Sequence, residues 1–82
     1  MAAPTFKRFD VRPLLLGGIE PFSEIRKRID ALVPGQGLAV IAPFLPAPLI
    51  EKLRSENFST RAEPQLDGSW VTYFWRDDER TT

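Results

Sequence analysis

The five residues Leu38-Ala-Val-Ile-Ala42 constrain the fold of this chain more than any other segment. The run is apolar throughout, is bounded by Gly37 and Pro43, and shows no alternation. It is too short for a buried helix, and a strand wetted on one face would alternate apolar and polar residues. A central strand covered at least in part on both faces satisfies the pattern. Such a strand needs hydrogen-bonded neighbours on its edges and an apolar layer above it. The rest of the chain has to supply both.

The segments on either side do so. Phe6 to Val11 reads as a first strand, with Phe9 and Val11 on one face and Arg8 and Asp10 on the other. Pro13 and the Gly17-Gly18 pair then force a loop. Pro21 suits a first helical position, where its missing N–H has no partner to lose. From Phe22 to Val33 the apolar residues Phe22, Ile25, Ile29 and Leu32 recur at helical spacing, and Pro34-Gly35 ends the helix.

After the central strand, Pro43, Pro46 and Pro48 punctuate a loop. A second helix is expected from about Ala47 to Glu56, with Leu49, Ile50 and Leu53 inward and Asn57 as a left-handed stop. Phe58 to Glu63 alternates as a third strand. Asp67-Gly68 is a tight-turn signal, and Ser69 to Arg76 is a fourth strand dense in aromatic and β-branched residues. Asp77 to Thr82 reads as a polar tail.

The expected order is therefore β-α-β-α-β-β. Two strand–helix–strand crossovers, right-handed by rule, place both helices on one face of a single sheet. The fold class is α+β, a two-layer α/β sandwich with a four-stranded mixed sheet. At 82 residues the chain is one domain, 1–82, with an ordered core of about 6–76.

Composition narrows the chemistry. The chain has no Cys and no His, which removes disulfides, zinc–thiolate sites, thiol redox chemistry and the side chain that titrates near neutrality. Neither a metal site nor a cofactor is expected. Eleven basic residues balance eleven acidic ones, which argues against nucleic acid or an anionic membrane as a dominant partner. No apolar run approaches the ~18–20 residues needed to cross a bilayer. The start, Met1-Ala-Ala-Pro-Thr5, has no charged leader and no apolar core, so it does not read as a signal peptide. A cytoplasmic protein is the expectation.

The Asp10-Val-Arg-Pro13 opening, the glycine turn, the Pro21-led helix and the element order together resemble the TusA/SirA-like sulfur carriers. The resemblance is closer still to a related set of small bacterial domains of unknown function that open with the same Asp-Val-Arg-Pro. It covers about residues 8–76. The carriers' Cys-Pro-x-Pro signature would fall on Gly18-Ile19-Glu20-Pro21, of which only the last proline matches. The spacing from Asp10 is also two residues longer, so Leu16 or Gly17 are alternative equivalents. In every register the thiol is missing. A persulfide carrier needs a thiolate, so sulfur transfer is excluded by residue content.

Three surfaces remain as candidates. The loop from Arg12 to Pro21, with Gly17 and Gly18 permitting close approach to the start of the first helix, offers an anion-sized nest in which Arg12 assists. The plainer reading is that the glycines only make the turn. Asp10 and Glu20 lack a nucleophile or metal ligand to work with, and Asp10 more simply accepts backbone N–H bonds or pairs with Arg12. Arg26-Lys27-Arg28 gives the first helix a basic face, but three charges on a neutral domain make few phosphate contacts.

The fourth strand is the sharper anomaly. Trp70, Thr72 and Phe74 point one way, and Val71, Tyr73 and Trp75 the other. The similar domains tend to carry basic residues at the second set of positions, which implies that Trp70, Thr72 and Phe74 face the helices. Val71, Tyr73 and Trp75 then form an apolar stripe on the bare face, as interfaces do. The bland alternative lays Tyr73 and Trp75 under the stems of Arg8 and Arg61. The reading adopted is a non-catalytic accessory module that binds a protein partner, or itself, through this face.

Overall fold

The computed structural model describes residues 4–76. The tail expected from Asp77 to Thr82 lies outside them. Seven elements follow in the order β1 (Thr5–Asp10), α1 (Arg12–Leu16), α2 (Phe22–Asp30), β2 (Gln36–Ala42), α3 (Ala47–Arg54), β3 (Ser59–Pro64) and β4 (Trp70–Trp75). The sheet runs β1-β2-β4-β3, with β1 parallel to β2 and the other pairs antiparallel. This is the expected four-stranded mixed sheet of an α+β fold.

The element order needs one correction. Arg12 to Leu16, expected as loop, forms the short helix α1, so the order is β-α-α-β-α-β-β. Pro13 does not prevent it, because a proline in the first helical turn removes an N–H that has no intrahelical acceptor. Gly17 caps α1, and Gly18 then turns the chain with φ +74°.

β2 is the centre of the molecule, and every residue from Gly37 to Ala42 is buried. Its even-numbered side chains Leu38, Val40 and Ala42 join Phe74 on the helix side. Ile25 and Ile29 of α2 and Leu49 and Leu53 of α3 close over them, and Leu14 and Leu15 of α1 pack at the border. Burying each of these larger aliphatic side chains is worth roughly 1.5–3 kcal/mol against exposure. All three helices thus cover one face. Arg26 ties α2 to the end of α3 through Glu56 at 2.8 Å. Asn57 stops α3 with φ 72°, as its type predicts.

Candidate functional site

The helix-free face is set by the register. Side by side across the strands stand Phe6, Gly37, Trp75 and Ser59, then Arg8, Ala39, Tyr73 and Arg61, then Asp10, Ile41, Val71 and Glu63. Val71, Tyr73 and Trp75 do point away from the helices. The stripe is nonetheless largely covered from within. Val71 is only 6% exposed, and it packs with Ala39, Ile41, Phe6 and Tyr73 in a second small cluster.

Phe6 is the covering group. A Cβ on Gly37 would lie 2.6 Å from the Phe6 ring and 2.7 Å from the Phe74 carbonyl oxygen. The ring therefore lies in the space that a side chain at 37 would fill. From there it meets Tyr73 edge-on at 4.9 Å and Trp75 at 5.8 Å. Sequence reasoning assigned Phe6 to a strand but gave it no role. The signal was its parity with Arg8 and Asp10 opposite a glycine in the next strand, which is visible only once the register is known.

At the start of α2 the anion reading meets two obstacles. The Glu20 carboxylate accepts the backbone N–H of Phe22, so the chain's own carboxylate occupies a donor that an anion would use. Arg12 turns elsewhere. Its Nε and Nη2 donate to Asp10 at 2.9 and 2.7 Å, its backbone N–H donates to the same carboxylate at 3.0 Å, and Nη1 reaches Asp67 at 3.4 Å. The Arg12 hydrogen bond holds the Asp10 carboxyl below its ordinary value against the opposing effect of burial, and Asp10 in turn raises the Arg12 guanidinium. Asp67 is lowered chiefly by the Ser69 hydroxyl, which donates to it at 2.6 Å. Arg12 is thus already held by two of the chain's own carboxylates. The guanidinium ties the end of β1 to the β3–β4 turn.

The basic run on α2 is also engaged. Arg26 bridges Asp30 and Glu56, Lys27 meets Glu24, and the Arg28 guanidinium lies 3.9 Å from the centre of the Phe9 ring. Among the described residues no three carboxylates gather into a metal-sized cluster, and no helix is long and apolar enough to cross a membrane.

The site that sequence reasoning missed lies between the N-terminal ends of α2 and α3. A cavity of about 170 Å³ opens there, floored by Val11, Val40 and Ala42 and walled by Pro21, Phe22, Phe44 and Pro48. Among the described residues Glu20 is its only charged lining residue. Around it the surface stays apolar: Phe44 is 51% exposed, Leu45 42% and Phe22 40%. Ile19 is exposed on the α1–α2 connection, and Leu16, the last residue of α1, and Leu66, in the β3–β4 turn, protrude at the same end of the sheet. Pro43, Pro46 and Pro48 restrict the backbone of the 43–48 segment, on which Phe44 and Leu45 stand exposed.

Comparison with known proteins agrees with this layout in extent. A family model described as an uncharacterized conserved protein, DUF2249, matches residues 8–76. The chain belongs to the DUF2249 family. The match runs from Arg8 in β1 to the residue after β4, so it takes in the second half of β1, the other three strands and all three helices. No curated protein and no solved structure matches the chain.

Proposed function

We propose that this DUF2249 chain is a non-catalytic protein-binding module that receives one large apolar side chain of a partner in the cavity between α2 and α3. The observation that carries the reading is the size and lining of that cavity. Pockets for cofactors and drug-sized ligands usually enclose about 300–1,000 Å³. At about 170 Å³ this one is close to engineered apolar cavities of about 150 Å³ that hold a single benzene. It fits one leucine or phenylalanine side chain, the kind of anchor around which protein interfaces concentrate their energy. The exposed Phe22, Phe44 and Leu45 supply the surrounding contact area. Glu20 at the rim favours a segment with a lysine or arginine beside its apolar anchor.

Absence of Cys and His from the whole sequence supports a binding role over a catalytic one. It also limits the likeness to TusA/SirA-type carriers to the arrangement of strands and helices. The working part moves from a thiol to the apolar surface beside the same helix start.

The test pairs a probe with a selection. Toluene titrated into the native chain should shift the NMR signals of Val11, Ile25 and Val40. Peptides selected from a random library should converge on one large apolar residue flanked by a cation. Phe44→Asp should abolish both responses, and Trp75→Arg should leave them intact. Convergent peptides that shift Tyr73 and Trp75 while leaving Val40 unmoved would overturn the assignment.

A further inference from the structure

Independently of the cavity, the charge layout of the helix-free face points to a second occupant. We infer that this face pairs weakly with the same face of a second copy of the chain, across a dyad that runs perpendicular to the strands.

The argument rests on two adjacent rows. One row has arginine at both edges, Arg8 on β1 and Arg61 on β3, with Ala39 and Tyr73 between them. The next row has acid at both edges, Asp10, which Arg12 already bridges, and Glu63, with Ile41 and Val71 between. Two sheets stacked face to face lie about 10 Å apart, so side chains of one reach those of the other.

A twofold relation can exchange either the two rows or the two edges. Exchanging edges sets Arg8 against the partner copy's arginine at 61, which is repulsive. Exchanging rows sets each arginine over an acid of the partner copy on both edges, with the apolar centres in contact. Only that dyad is electrostatically complementary. Arg61 already meets Glu63 at 3.0 Å within one copy, so two such bridges would stack crosswise into a ring of alternating charge.

Area sets the strength. Four strands about 4.8 Å apart and six residues long, at about 3.3 Å each, give roughly 400 Å² of flat face per copy. A dyad set between those two rows lies off the centre of the face and overlaps about half of it, so two copies bury about 400 Å² on that measure, far below the ~1,200 Å² at which standard interfaces begin. So small an area makes the pair a weak, high-concentration species.

Sedimentation of the full chain up to about 1 mM tests this. Wild type should dimerise, and the dimer should weaken as salt rises. Arg61→Glu should weaken it by about tenfold, and Arg8→Glu on the opposite edge should do the same. The double exchange Arg61→Glu with Glu63→Arg keeps the face self-complementary and should return to within about threefold of wild type. Unchanged far-UV circular dichroism would show that each variant is folded. A chain that stays monomeric throughout overturns the inference. So does a dimer that ignores Arg61→Glu and Arg8→Glu, or one lost on Phe44→Asp, which would assign the contact to the cavity rim.

Discussion

The helix-free face and the end of the sheet both carry aromatic side chains outside the main core, yet they differ in what covers them. On the face, Phe6 lies over Gly37 and turns its edge to Tyr73 and Trp75, so the chain supplies its own cover. At the end, Phe44 and Leu45 stand exposed on a proline-rich segment beside an open cavity. Apolar content alone does not mark a docking surface. What distinguishes the two regions is whether a neighbouring strand has a side chain long enough, and a gap wide enough, to close over the apolar atoms.

Gly37→Ala should break this distinction most severely. The new methyl group would meet the Phe6 ring and the Phe74 carbonyl oxygen, and the latter is backbone of the central strand pair. A loss of about 2–3 kcal/mol is expected, read from the urea midpoint. Phe6→Ala should cost about 1.5–2 kcal/mol through lost burial and lost edge-to-face contact. In that background Gly37→Ala should cost less than it does alone, because one of its two clashes is gone. An additive result would mean that the ring does not depend on the gap.

The end of the sheet should respond differently. Phe44→Ala is expected to change stability by no more than about 0.5 kcal/mol while removing toluene binding. A loss as large as that of Phe6→Ala would show that Phe44 belongs to the core rather than to an open rim.

The smallest effect concerns the carboxylates that hold the two regions in register. Asp10, Asp67 and Glu56 sit below their ordinary values of 3.8, 3.8 and 4.5, held there by Arg12, Ser69 and Arg26 respectively. A folded value below the unfolded one contributes stability above the unfolded value, and that stability is lost as pH falls through the folded value. The urea midpoint should thus decline as pH drops below about 4, and Asp10→Asn should flatten part of that decline. These groups are largely exposed, so the slope should be shallow and should diminish in high salt.

How much of this was legible beforehand follows from the range of the signals. The central strand, α2, α3 and the final hairpin were readable because their patterns are local: an unbroken apolar run, helical spacing, and alternation around Asp67-Gly68. A period of two fixed which residues of β4 share a face, but which of the two faces meets the helices came only from the resemblance to the similar domains. Helix α1 escaped because five residues are too few to show a period, and Pro13 with two glycines imitates a loop. Phe22 was assigned to the buried stripe of α2, yet it is 40% exposed because no element covers the first turn of that helix. The cavity itself depends on two helix starts meeting, and the Phe6 cover depends on strand register. Both are tertiary facts with no local period to betray them.

Glu20 carries a consequence for ligand competition. Its carboxylate sits two residues from the N–H of Phe22 that it accepts, so at that donor it behaves as a tethered ligand. Tethering gives it an effective concentration in the millimolar range or above. A free phosphate or carboxylate metabolite below that level is outcompeted before any question of selectivity arises. At that one donor the start of α2 is already ligated, and removal of the tethered group would free the Phe22 N–H for a small anion.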